Sequence, residues 1–470
     1  MGHLQYPNLP HPCPTTPIWQ IPPDPLAKHR TTVSLPTHEH DYIIIGSGIS
    51  GAAIAYKLLE RNPQLSVLML EARTAASGAS GRNGGHCRAG YWLNYLRYID
   101  TVGEDEALKI DALEEANVAD IAAFVAEHRV DCDFEEVETA DIYHTEAAWA
   151  QLLRVVDARA EVARRRPDEA SRTPRRVLNG DAARQHTGMP RAIGAVTWRA
   201  YTQNPYRLVC AMLQLCLKRG LNLQTTTPAL RIREHTGEHH HYWSVDTPRG
   251  ALRAKNVVLA TNGYSNHLHR ALADTAILTP GRSQATAIEP GSRISLDKLS
   301  HRSAGLNDIS SGDYTIFREG PRQIVYGGGK TYSETRERGI TDDSVVHEGI
   351  AAHLHTSLRR LFNETRWGHD GAVLKDWTGI TGYTNDTFPL VGGTPGQKGL
   401  WMSVGFNGHG MALTFRSAEA LVQLMTTGHA PDWLPKCFRA ERAWDQGEKA
   451  ALRVNGQNYL HPGGVFQPLG

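Results

Sequence analysis

The run Asp41-Tyr-Ile-Ile-Ile-Gly46 is short, apolar and closed by glycine, the pattern of a parallel strand buried on both faces. Apolar positions then recur at helical spacing through Ile49, Ala52, Ala53, Tyr56, Leu58 and Leu59. Asn62-Pro63 ends them, and Ser66-Val-Leu-Met-Leu-Glu71 reads as the next strand. Together they predict one βαβ unit of about 30 residues. Residues 104–130 predict an acidic helix, and 154–176 a solvated, arginine-rich helix and loop broken by Pro167 and Pro174. A helix near 205–219 precedes strands at 221–224, 242–245 and 257–260, with a polar histidine-rich turn at 239–241. From 276 to 370, short strands at 283–288, 314–317 and 323–326 precede an amphipathic helix near 344–362, which predicts a second, separate sheet. Residues 1–40 carry prolines at 7, 10, 12, 14, 17, 22, 23 and 25, so an extended arm lying over the body is expected there.

A chain of 470 residues exceeds what one core usually organises, so two packed domains are expected. A net charge of +1 supplies no field to draw in nucleic acid or a membrane surface. The six cysteines are scattered, which predicts reduced thiols and no metal; the three successive histidines at 239–241 lack a spaced partner set. No apolar run approaches the roughly 20 residues that span a bilayer. The expected location is the cytoplasm, with the peroxisome as the alternative, although Gln467-Pro-Leu-Gly470 is not a peroxisomal Ser-Lys-Leu address.

Gly46-Ser-Gly48-Ile49-Ser50-Gly51 lies between the predicted strand and helix, the context that makes this pattern a dinucleotide fingerprint. Gly46 permits a tight turn, Gly48 lets a pyrophosphate approach the backbone, and Gly51 lets helix and strand pack closely. The helix N-terminus offers N–H groups to phosphate. Glu71, 20 positions past Gly51, ends the second strand where a carboxylate accepts ribose hydroxyls and repels a 2′-phosphate; Ala72 and Arg73 follow it. The small-residue loop Ala76-Ser-Gly-Ala-Ser80-Gly81-Arg82-Asn83-Gly84-Gly85-His86 can wrap a tricyclic ring, which favours FAD over NAD.

These residues resemble the FAD-dependent oxidoreductases of the D-amino-acid oxidase (DAO) superfamily, which includes glycine oxidase, sarcosine oxidase and γ-glutamylputrescine oxidoreductase. The resemblance spans about 38–425 and adds Val257-Val-Leu-Ala260-Thr261-Asn262-Gly263, Tyr326-Gly-Gly-Gly329 and Val404-Gly405-Phe406-Asn407-Gly408-His409-Gly410. It implies an α/β (α+β) fold in which a Rossmann-like FAD domain of GR2 type is interleaved with an antiparallel-sheet substrate domain. The expected division is an arm at 1–40, the FAD domain at 41–100, 176–275 and 371–430, the substrate domain at 101–175 and 276–370, and a tail at 431–470. The resemblance places Ala260, Thr261, Asn262 and Gly263 on the adenine and pyrophosphate side, with Ala229 on a strand meeting the adenine. It places Gly405 to Gly410, and a helix from Met411, against the flavin pyrimidine. Sarcosine oxidase-like members carry a tethering cysteine in the segment where this chain has Thr381, so noncovalent FAD is expected; His86 and Cys87 are the alternative tethers.

A neutral amine can surrender a hydride to flavin N5 without a strong base, so orientation and exclusion of water are the protein's main tasks. Candidate groups facing the ring or substrate are His86, Tyr326, Asn407 and His409. Lys330 is placed to help O2 take up electrons, and Arg282 or Arg318 to hold a substrate carboxylate. The expected reaction is oxidation of the C–N bond of a small amine or amino acid, with O2 as acceptor, giving an imine and H2O2. The alternatives are a flavin dehydrogenase with another acceptor, a flavin hydroxylase and a noncatalytic flavin-binding protein.

Overall fold

The computed structural model describes residues 6–238, 240–307 and 312–445. The predicted βαβ unit forms as β1 (Glu39–Ile45), α1 (Ile49–Arg61) and β2 (Val67–Leu70). α1 stops at Asn62 because Pro63 disfavours helical dihedrals at the residue before it. The chain then leaves this layer through β3 (His86–Cys87), α2 (Tyr95–Val102), the long α3 (Glu104–His128), β4 (Glu135–Tyr143), α4 (Glu146–Arg165), β5 (Arg176–Asn179), α5 (Gly180–Thr187) and β6 (Gly194–Thr202). It returns with α6 (Pro205–Lys218), started by Pro205 and by the Asn204 side chain, which accepts the Arg207 N–H. β7 (Asn222–Gln224), β8 (Arg231–Thr236), β9 (His241–Thr247) and β10 (Gly250–Leu259) follow, then α7 (Ser265–Leu268) and α8 (Arg270–Asp274). The second layer is completed by β11 (Leu278–Glu289), β12 (Ser303–Asn307), β13 (Asp313–Arg318), β14 (Gln323–Gly327), α9 (Glu348–Phe362), α10 (Glu364–Trp367) and β15 (Ala372–Thr384). The chain ends the first layer with β16 (Leu390–Thr394), β17 (Gln397–Val404) and α11 (Thr414–Thr427).

The first sheet runs β16-β17-β10-β1-β2-β7, with the β8–β9 hairpin attached through β10. β17, β10, β1, β2 and β7 are parallel. Alternate residues of β1 bury opposite faces. Ile44 packs with Met69, Val258, α1, α6 and α11, whereas Ile43 and Ile45 pack with Leu68, Leu70, Trp243 and Val245. The second sheet runs β15-β11-β14-β13-β12-β4-β6-β3, with β5 on β6, and is antiparallel except for the β12–β4 pair. α9 covers one face of it. This is the expected pair of interleaved units, a Rossmann-like layer and an antiparallel layer.

The strands within 176–202 and 372–384, which the sequence division placed in the FAD domain, hydrogen-bond in the second sheet. A strand's alternation shows that one face is buried; only its partner decides which sheet it joins. The polar edge strand β8 gave no apolar pattern, and its hairpin with β9 holds the histidine-rich turn, where the Gly237 N–H donates to the His240 carbonyl at 2.9 Å. His239 lies outside the described residues. In the arginine-rich stretch, Arg164 and Arg165 pair at the surface, but Arg175 is nearly buried, stacked on Trp92 at 4.4 Å and paired with Glu115 at 3.3 Å. The expected tail packs into the body as far as 445. Phe438 and Ala440 are buried, and Arg442 grips Asp386 with two hydrogen bonds of 2.7 and 3.1 Å. The arm is likewise packed, with Pro7, Pro17, Trp19, Leu26 and Ala27 buried. Among the described residues the cysteines are unpaired and no helix is long and apolar enough to cross a membrane.

Candidate active site

One cavity of about 610 Å³ opens where β1, β2 and β10 reach their carboxyl ends, the usual binding edge of a doubly wound sheet, and extends to the second sheet. Its floor is the glycine turn. Gly46 has φ +109°, and a Cβ there would lie 2.6 Å from the Ala260 carbonyl oxygen. A Cβ on Gly48 would lie 2.9 Å from Ser80 Oγ, which accepts the Ile49 N–H at 2.8 Å and so meets the first amide of α1. Ile49 and Ser50 also line the cavity. The Glu71 carboxylate is held in the wall by Ser47 Oγ at 2.7 Å, the Ser47 N–H at 3.1 Å and the Arg73 N–H at 2.8 Å. A glycine turn at the start of a helix and a fixed carboxylate at the strand end fit the diphosphate and ribose of a dinucleotide.

The walls contain the expected Ala72, Arg73, Ser80, Arg82, Asn83, Gly84, His86, Ala229, Ala260, Thr261 and Asn262. Arg73 and Arg82 are committed to protein partners. Arg73 pairs with buried Asp343 at 2.9 Å, and Arg82 donates to the carbonyls of Ser77, Thr15 and Thr378. Burial, with the nearby Arg73 charge, lowers Arg82 to about 10.

Five expected cofactor contacts are not in the lining, and each is spent on close backbone packing. A Cβ on Gly51 would collide with the Gly46 carbonyl, and one on Gly81 with that of Ala76. A Cβ on Gly85 would lie 2.6 Å from the Gln203 carbonyl oxygen, one on Gly263 2.8 Å from that of Thr381, and one on Gly405 2.8 Å from the Thr384 methyl. Cys87 is also outside the lining, and burial pushes its thiol up to about 12.

Phe406, Asn407, Gly408, His409, Gly410 and Met411 line the opposite wall. The helix expected from Met411 begins later: Gly410–Ala412 is a 3-10 turn, and α11 starts at Thr414. Asn407 serves the backbone, accepting the Thr384 N–H at 2.9 Å and donating to the Gly405 carbonyl at 2.7 Å. His409 stacks on Tyr91 at 4.7 Å and pairs through Nε2 with Glu114, whose other oxygen accepts the N–H groups of Gly90 and Tyr91 at 2.9 and 2.8 Å. One turn further along α3, Asn117 donates to the Met411 carbonyl and accepts the Arg416 N–H.

Glu114 and Asn117 were not anticipated. The available signal was their place with Ile110 and Ile121 on one buried stripe, where a polar side chain needs a partner.

Tyr326 is not in the cavity. It lies on the α9-covered face of the second sheet, hydrogen-bonded to Asp313, which also accepts from His353 at 2.6 Å and from the Gly329 N–H at 2.8 Å. Arg282 and Arg318 are elsewhere too, paired with Glu337 and Asp133 respectively. Arg336 and Arg338, from the loop after β14, take cationic positions in the lining instead. Burial lowers the Arg338 pKa and the Arg336 charge adds to this, with Tyr383 opposing. Lys330 is in the wall, bonded to the Tyr383 hydroxyl. Burial alone would raise that phenol, but the ammonium outweighs it and the pKa falls.

The sequence model of the FAD dependent oxidoreductase family (DAO) matches residues 41–424. The chain is 22% identical over 384 residues to a glycine oxidase of Geobacillus kaustophilus, covering 80% of this chain and 90% of that protein. It is 24% identical over 406 residues to the gamma-glutamylputrescine oxidoreductase of Escherichia coli, covering 82% and 83%. The solved structure of an L-amino acid deaminase from Proteus vulgaris superposes with a TM-score of 0.68 at 18% identity, over 89% of this chain and 97% of that one.

Proposed function

Because the chain belongs to the FAD dependent oxidoreductase (DAO) family, which makes it an FAD enzyme, we propose that it oxidises the C–N bond of a carboxylate-bearing amine or amino acid to an imine, with O2 reduced to H2O2. The observation that carries the proposal is a single cavity joining the glycine-turn cradle to a wall with Lys330, Arg336 and Arg338. When bound, FAD supplies the acceptor for the two electrons and the hydrogen that leave the substrate carbon. Two guanidinium groups in one cavity wall favour an anion between them, so Arg336 and Arg338 would fix a substrate carboxylate. Among the described residues, each carboxylate in the lining has partners already: Glu71 with Ser47, Asp313 with His353, and Asp386 with Arg442. The wall therefore orients a neutral amine rather than offering it a strong base. The Lys330 ammonium would stabilise the negative charge that develops on O2. Thr381 in the wall and the buried Cys87 thiol support noncovalent cofactor. Acid denaturation is then expected to release all the flavin into solution.

The deciding experiment mixes holoprotein anaerobically with D- and L-amino acids, N-substituted glycines and their decarboxylated counterparts, and follows the flavin absorbance. Bleaching by a carboxylate-bearing amine, and far weaker bleaching by its decarboxylated form, is expected; a band unmoved by every amine overturns the reading. Peroxide on admitting air separates an oxidase from a dehydrogenase.

A further inference from the structure

Asn8, Leu9 and Pro10 line the same cavity as Gly46, Glu71 and Thr261, yet they precede the matched family span by some thirty positions. We propose that residues 7–15 form a strap closed over the bound cofactor, so that FAD enters and leaves only when this segment lifts. This rests on the FAD reading above.

The strap is fastened on both sides of the space it crosses. At one end His267 Nδ1 donates to the Pro7 carbonyl at 2.9 Å, and Arg73 donates to the His11 carbonyl at 3.2 Å. At the other, the Thr15 N–H donates to the Asp343 carbonyl at 2.8 Å, Thr15 Oγ1 accepts the Thr378 N–H at 2.9 Å, and Arg82 donates to the Thr15 carbonyl at 2.6 Å. Just beyond, the Trp19 indole donates to the Asn83 carbonyl at 2.7 Å. Arg73, Arg82 and Asn83 are themselves cavity walls, and Thr378 belongs to β15 of the second sheet. The segment thus ties the two sheets together across the opening of the cleft.

Its cross-section is one chain thick. Asn8 is exposed, and Leu9 and Pro10 are half-buried, while their inner atoms meet the cavity. Prolines at 7, 10, 12, 14 and 17 fix φ in advance, so holding this segment closed costs less conformational entropy than for an ordinary loop. Its hold is a handful of hydrogen bonds rather than a core, so it can open without unfolding either sheet.

The test compares FAD release from holoprotein of the full chain and of a variant lacking residues 1–14, using excess apo-glucose oxidase, an FAD-specific apoprotein, to trap released FAD. The variant is expected to release FAD at least tenfold faster, with unchanged circular dichroism. In the full chain, hydrogen exchange at the amides of Asn8, Leu9, His11, Cys13 and Thr15 is expected to slow when FAD is added to apoprotein. Equal release rates, or amides indifferent to FAD, overturn the strap. If the truncated chain does not fold, the exchange result alone decides. A full chain that takes up no FAD overturns the reading of the site itself.

Discussion

Replacing Gly46 with Ala tests the cradle at its tightest point. At φ +109° a side chain is strained, a cost of about 1–3 kcal/mol. The new Cβ would also stand 2.6 Å from the Ala260 carbonyl oxygen, a backbone atom that cannot rotate away, and overpacking of this kind costs a further ~1–3 kcal/mol. Apoprotein can relieve both by moving the turn away from the end of β10. Bound FAD requires the native turn, because Gly46 and Ala260 are both cavity walls. If the sum of about 2–6 kcal/mol falls on the bound state, affinity drops at least ~30-fold. The assay is FAD titration of apoprotein by flavin fluorescence quenching, with melting temperature measured alongside. Gly320→Ala is the control, since its φ is not positive and nothing lies within 4 Å of its would-be Cβ. A Gly46→Ala protein that binds FAD within threefold of the parent and melts at the same temperature refutes the assignment.

Glu114→Gln removes the charge that holds Gly90, Tyr91 and His409 together, and loss of such charge-assisted bonds is worth ~1.5–3 kcal/mol. Differential scanning fluorimetry should show a lower melting temperature, and an unchanged one would leave the pair no structural role. Lys330→Met should slow reoxidation by O2 roughly tenfold, about 1.4 kcal/mol, while anaerobic flavin reduction changes less; stopped-flow measurement of both half-reactions checks this. Stability should fall as pH drops from 6.5 towards 4. Burial lowers His301 to about 3 and His144 to about 4, so in this window the unfolded chain gains protons that the native chain refuses. Each histidine contributes up to ~1.4 kcal/mol per pH unit, and urea midpoints that stay flat over this range would contradict it.

The parallel layer was legible because its information is local: an apolar run, helical recurrence and a glycine turn follow one another from Asp41 to Glu71. The loop at 76–86 was legible for the same reason, as a run of small residues, whereas 404–410 was marked by its resemblance to the family. What misled was facing. Tyr326 follows Val325 on β14, and alternation alone cannot say which face of the strand looks into the cavity; here Tyr326 packs under α9. Arg282 and Arg318 sit on strands as expected but meet Glu337 and Asp133, acids far away in sequence.

The sequence by itself therefore determined the glycine turn, the two kinds of sheet and the carboxylate that follows β2, all set by neighbours within a few tens of residues. Only the tertiary structure decided that β5, β6 and β15 join the second sheet, that Glu114 reaches His409, that Arg336 and Arg338 stand in the cavity wall, and that Asn8, Leu9 and Pro10 of the proline arm line the cavity. Each of these depends on pairings between segments remote in the chain, which burial and hydrogen-bond satisfaction select collectively and no local pattern encodes.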